Sequence, residues 1–167
     1  GIDASMFKHF DVTLDYFNHD RYDILAYPYR DVPQYLGVNL PLLNVGKVNN
    51  KGFETIVRYN NETKSLQYFA EVSVWYAKNK IVYNSEALQP YEYLYGTGRT
   101  IDQPFLLEAV GFFKDNTDIE NSPKQIFTDV QPGDIKYKDQ NGDGIIDQND
   151  YFPLGKPNIP ELTFGLH

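Results

Sequence analysis

Cysteine is absent from this chain of 167 residues, and methionine and tryptophan occur once each. Without thiols there is neither a disulfide framework nor a thiolate metal site, and an oxidising compartment is permitted without being implied. Histidine is nearly as scarce. His9, His19 and His167 fall in a turn, at a strand end and at the terminus, a scatter that suggests no metal triad or catalytic dyad. Fifteen Lys and Arg stand against 23 Asp and Glu, for a net charge of −8, and no basic stripe runs along the sequence. Nucleic acid is thereby excluded as a partner, because neutralising phosphates takes clustered cations. No run of about 18 apolar residues occurs, so no membrane-spanning helix is expected. The mean hydropathy of −0.51 leaves barrel strands open, since these face lipid only at every second residue. No charged segment and apolar core precede Gly1, and the chain reads as an interior excerpt or a processed product.

Aromatic residues, by contrast, are abundant: 14 Tyr and 11 Phe bring the aromatic share to 16%. Tyrosine suits surfaces that are half apolar and half wet. Many of these residues sit in period-two runs, the signature of strands with one apolar face. Ile2, Ala4 and Met6 alternate with Asp3 and Ser5; Phe10, Val12, Leu14 and Tyr16 alternate with Asp11, Thr13 and Asp15. Phe53, Thr55, Val57 and Tyr59 form a third run, and Tyr68, Ala70, Val72, Val74 and Tyr76 a fourth. The pattern predicts antiparallel strands over 2–7, 10–21, 51–60 and 66–81, with tight turns at Lys8-His9 and over 60–65. The connections 22–49 and 82–161 read as long loops, apart from a helical turn near 118–124. Leu162, Thr163, Phe164, Gly165 and Leu166 restart a strand. The chain divides accordingly into hairpin strands (1–81), a long loop region (82–161) and the start of the next strand (162–167).

Short turns at one end and long excursions at the other are the habit of a transmembrane β-barrel wall. The expected fold class is therefore all-β, antiparallel hairpins from such a wall with long extracellular loops. Tyr16, Phe17, Tyr22, Trp75 and Tyr76 fall where strands approach loops, the place of an interfacial aromatic girdle; packing of a soluble sheet is the other account of them.

The sharpest local pattern is DQNGDGIIDQND at 139–150. It fits a twelve-position calcium loop: Asp139, Asn141 and Asp143 at positions one, three and five, Gly144 at the bend, the Ile145 carbonyl at seven, Asp147 at nine and Asp150 at twelve. Ile146, at position eight, would pack inward. Asp150 is shorter than the usual bidentate Glu, and Pro153 argues against an exiting helix, so the loop resembles those of dockerin modules more than a sensor's. The alternative is an Asx-rich solvated turn. Carboxylate pairs such as Asp118 with Glu120, or Asp102 with Glu108, are framed by no cleft and do not argue for a glycosidase. Asn61-Glu62-Thr63 matches a glycosylation acceptor, a pattern common by accident, and Gly96-Thr97-Gly98-Arg99 lacks the strand-to-helix setting of a phosphate loop. Tyr91, Tyr93 and Tyr95 alternate as a sugar-stacking platform or as loop packing.

Four stretches resemble the SusC/RagA-type TonB-dependent outer-membrane transporters: DYFNHDRYDIL at 15–25, NVGKVNNKGFE at 44–54, PGDIKYKD at 132–139 leading into the aspartate loop, and LGKPNIP at 154–160 running into Phe164-Gly165-Leu166. The resemblance implies a piece from the C-terminal half of a large barrel in the outer membrane of a Gram-negative bacterium. Such barrels import glycans or peptides, are driven by the TonB energy-coupling complex through a plug, and pair with a SusD-like surface lipoprotein. The chain's share would be wall strands and extracellular loops, without enzymatic activity and with substrate contacts the sequence does not name. A soluble calcium-dependent carbohydrate-binding module is the competing reading. If the wall reading holds, the isolated chain is expected to self-associate through bare strand edges.

Overall fold

The computed structural model describes residues 1–30 and 41–167. Its main element is a five-stranded antiparallel sheet of β1 (Ile2–Met6), β2 (Phe10–Ala26), β3 (Leu43–Glu62), β4 (Gln67–Tyr83) and a final strand, Leu162–Leu166, in the spatial order of the chain. The fold is all-β in character. All four alternating runs lie in strands, but the ladder runs further than the alternation does. β2 and β3 stay paired, through bulges beside Arg21 and Ile24, out to Ala26 opposite Leu43. The connection expected over 22–49 is correspondingly shorter, and 31–40 lies outside the described residues. With 17, 20 and 17 residues, β2, β3 and β4 are far longer than the roughly 3–10 residues usual in globular proteins.

Both tight turns lie at one end of the sheet. Phe7 and Lys8 take positive φ (52° and 61°), the pairing a type I′ turn demands, and His9 N–H donates to the Met6 carbonyl. The second turn is closed by Thr63 N–H on the Leu66 carbonyl at 2.8 Å. Residues 82–161 differ from the expected loop. They contain three small two-stranded sheets: β5 (Phe105–Leu106) with β10 (Phe152–Pro153), β6 (Ala109–Phe112) with β8 (Ile135–Tyr137), and β7 (Lys124–Gln125) parallel to β9 (Ile145–Ile146). The final strand of the large sheet is therefore β11. The helical turn forms slightly earlier than expected, as α1 (Asn116–Glu120), because Asp115 caps it by accepting from Asp118 N–H at 2.8 Å. Two-residue strands leave no periodicity in a sequence, which is why this region reads as loop.

Apolar burial is concentrated in this module. Among the described residues the buried hydrophobic side chains are Phe113 and Ile146, both outside the large sheet. Among the described residues the large sheet has no covered apolar core on either face, whereas a free-standing sheet buries at least one.

Candidate functional site

Strand register sorts the large sheet into two unlike faces. Reading across β2, β3, β4 and β11, one face carries the rows Val12–Val57–Val72–Leu166, Leu14–Thr55–Val74–Phe164 and Tyr16–Phe53–Tyr76–Leu162. At the turn end it continues with Phe10, Tyr59 and Ala70, and Ile2, Ala4 and Met6 of β1 join it. No Asp, Glu, Lys or Arg interrupts these rows. Phe164, Leu166 and Ile2 are 79, 77 and 65% exposed, so the face is apolar and open. Aromatic rings bound it at both ends. Phe10 and Tyr59 lie 4.9 Å apart at the turn end, and Phe53 and Tyr76 lie 5.6 Å apart at the other. From Tyr68 to Tyr76 the strand covers about 27 Å at ~3.4 Å per residue. Tilted by ~40° this stands about 20 Å tall, near the ~25 Å apolar band of an outer-membrane barrel.

The opposite face is polar and self-paired. Arg58 binds Glu71 across β3 and β4, Thr13 donates to Asp3 at 2.7 Å, and Ser5 to Asp11 at 2.7 Å. Phe17 and Trp75 belong to this face, which corrects their expected place in the aromatic girdle; Tyr16 and Tyr76 lie on the apolar face. Phe17 lies over Gly52, whose missing side chain leaves room for the ring.

The aspartate loop is built into the small-sheet module. Ile146 is fully buried, as position eight requires, and β9 is held to β7 by Lys124 N–H on the Gly144 carbonyl at 2.9 Å. The carboxylates close the loop on its own backbone. Asp139 accepts from Gly142 N–H (2.6 Å) and Gly144 N–H (2.8 Å), Asp143 from Ile145 N–H (2.8 Å), and Asp147 from Asn149 N–H (2.7 Å). Asn141 Oδ1 accepts from Asp143 N–H at 3.0 Å. Asp150 is fully buried and spans the loop mouth, with one oxygen on Gln140 N–H (2.7 Å) and the other on Asp147 N–H (2.8 Å). Gly142 and Gly144 take φ of 78° and 84°, the left-handed geometry that suits glycine here. Among the described residues no three His, Cys, Asp or Glu side chains gather as a metal-holding group.

Tyr91, Tyr93 and Tyr95 serve this module rather than an open platform. Tyr91 and Tyr93 stack at 5.3 Å, the Tyr93 hydroxyl donates to the Asn149 carbonyl at 2.7 Å, and the Tyr95 hydroxyl accepts from Gln89 N–H at 2.9 Å. Burial, and then the nearby Asp150 charge, raise the Tyr93 phenol above its ordinary range. Of the carboxylate pairs, Asp118 binds Lys136 (2.9 Å) and Glu108 binds Lys138 (3.0 Å), so one member of each is engaged by a lysine. The hydrogen bond from Lys136, and then that from Lys114 N–H, hold Asp118 below its ordinary range. Because the folded value is lowered, the contribution of this group to stability is present above the unfolded range and fades as pH falls through the folded value. Lys136→Met is expected to move the Asp118 titration back up toward an ordinary carboxylate, read by carboxyl-carbon NMR; an unmoved midpoint would remove Lys136 as the cause.

Sequence reasoning missed a row of cations at the loop end of the apolar face, Lys51, Lys78 and Lys80. Counting back along β3 and β4 from the short turn that joins them would have found it, since that register sets Lys51 opposite Lys78.

No protein-family model matches the chain. Two proteins of Formosa agariphila are similar to it along its length. TonB-dependent receptor P26 is 29% identical over 178 residues, taking in 99% of this chain and 17% of the relative. TonB-dependent receptor P3 is 26% identical over 184 residues, taking in 100% of this chain and 18% of the relative. The chain thus spans less than a fifth of the length of these curated relatives, and its similarity is to one segment of each.

Proposed function

We propose that the chain forms a stretch of wall and extracellular loop in an outer-membrane, TonB-dependent importer of the SusC/RagA type. The observation that carries this reading is the long-stranded sheet with, on one face, an open apolar band that is free of charge and bounded by aromatic rows at both ends. Water disfavours so large an exposed apolar surface; lipid does not. Kinship with a segment of TonB-dependent receptors supports the same assignment. In it the polar face lines the lumen, and the module between β4 and β11 stands on the extracellular side, near the barrel mouth. Glycan oligomers or peptides are the substrates, a SusD-like lipoprotein is the lid, and energy reaches the barrel from the TonB complex through regions outside this chain. The part played by the chain is passive and non-enzymatic. A soluble carbohydrate-binding module is disfavoured, because the tyrosines that would stack sugars are occupied inside the module.

The absence of native cysteine in the chain makes the test direct. In outer-membrane preparations, Thr13→Cys on the polar face is expected to react with a membrane-impermeant maleimide, and Val12→Cys on the apolar face to resist it. Equal labelling of the two would remove the wall. The excised chain, with the same face bare, is expected to grow in light scattering as its concentration rises.

Calcium in the 139–150 loop belongs to the same proposal and rests on the twelve-position spacing with Ile146 turned inward. The ligands would be Asp139, Asn141, Asp143, the Ile145 carbonyl, Asp147 and Asp150, with modest affinity suited to the about millimolar calcium outside cells. Calorimetry should show heat that disappears in Asp143→Ala. No heat from the folded protein would leave the loop an Asx turn.

A further inference from the structure

In an acidic chain, Lys51, Lys78, Lys80 and Arg99 converge on one cavity of about 480 Å³, which Asn49 and Gln103 also line. The ion pairs among the described residues engage the Gly1 amino group, Arg58, Lys136, Lys138 and Lys156, and none of the four cations of the cavity. Lys51 and Lys78 stand directly opposite each other on β3 and β4, and Lys80 follows in the next row. Like charges placed so are destabilising unless an anion lies between them. Arg99 is brought alongside by backbone bonds to the β4 edge, where Ile81 N–H donates to the Arg99 carbonyl and Gly98 N–H to the Ile81 carbonyl, both at 2.8 Å. The carboxylate next along this face, Asp20, accepts from Asn49 at 2.8 Å.

The position of the cluster adds to its charge. It sits on the same face as the apolar rows, one step beyond the aromatic row Tyr16–Phe53–Tyr76. A ligand filling it would meet cations at its head and an open apolar surface below. A small free anion uses only the first of these; an amphiphile uses both. We propose that Lys51, Lys78, Lys80 and Arg99 form a headgroup site for a phosphate-bearing membrane lipid whose acyl chains lie along the apolar face. This rests on the wall reading above.

The test uses native mass spectrometry of the intact protein in zwitterionic detergent, titrated with phosphatidic acid, phosphatidylcholine or inorganic phosphate. The wild type is expected to retain phosphatidic acid in preference to phosphatidylcholine. Lys51→Gln, Lys78→Gln and Lys80→Gln combined should weaken that preference about tenfold or more, since each lysine near an anionic surface contributes appreciably. The same three positions changed to Arg should keep it, which controls for folding. Equal retention of both lipids, unchanged in the Gln variant, would overturn the headgroup site and leave the wall standing. Displacement of the lipid by inorganic phosphate would overturn the lipid as occupant in favour of a free anion. A protein that stays monomeric without detergent and retains neither lipid would overturn the site together with the wall.

Discussion

Gly52→Ala is expected to destabilise the large sheet by about 3 kcal/mol, the upper range for forcing a methyl group into a filled space. A Cβ at this position would lie 2.0 Å from the Tyr76 carbonyl oxygen, 2.7 Å from Cζ of Phe17 and 2.9 Å from Cα of Ala77. Two of the three obstacles are backbone of β4, and β3 is held by β2 on its other side, so the strand has nowhere to retreat. The Phe17 ring is the only soft neighbour. Adding Phe17→Ala should therefore recover little of the loss, whereas an origin in ring crowding alone would restore most of it. Unfolding midpoints of the wild type, the single variants and the double variant, measured in one detergent, give the answer. A single variant within about 0.5 kcal/mol of wild type, the range of ordinary surface changes, would show that the close approach at Gly52 is not kept.

Asp150→Ala is expected to cost a similar amount, felt in a different place. The side chain is fully buried, and its two oxygens satisfy Gln140 N–H and Asp147 N–H at opposite ends of the aspartate loop. Removing it strands two amides away from water, at about 1–3 kcal/mol each. Asp150→Asn keeps one acceptor oxygen and should lose about half as much. The damage should stay local, because the loop is fastened to β7 rather than to the large sheet. Hydrogen exchange should accelerate at Gln140, Asp147 and Ile146 while the β2–β3 amides keep their protection. Equal acceleration in both regions would mean that sheet and module unfold as one unit.

The sequence disclosed strands wherever one face had to be apolar and the other polar. Phe10 to Tyr16 and Val72 to Tyr76 were legible for that reason. It fell silent around and beyond the bulges at Arg21 and Ile24, over Tyr22 to Ala26 on one strand and Leu43 to Asn50 on the next. There the backbone ladder continues without any alternation of side chains to announce it. Asn44, Gly46, Asn49 and Asn50 carry turn-like chemistry, yet they are held extended by β2 and, from Lys47 onward, by β4. The small-sheet module was illegible for another reason: its strands are too short to repeat. The spacing of the aspartate loop could be read directly, because local carboxylate-to-amide bonds depend on sequence separation alone. The lysine row takes a further step, since Lys51, Lys78 and Lys80 become neighbours only through the register that the turn joining β3 and β4 sets.

The module between β4 and β11 also bears on how the sheet is completed. Leu162 must find Tyr76 across a long stretch of chain, and the entropy lost in closing a loop rises with its length. The module folds that stretch by short-range contacts and straps itself to Ile81 through Gly98 and Arg99, while Glu161 delivers its carbonyl to Ala77 N–H at 2.9 Å. Once the module has formed, the search by the last strand spans only a compact body's width. Local folding of the module is therefore expected to precede the most distant pairing in the sheet, which then closes like the second half of a hairpin.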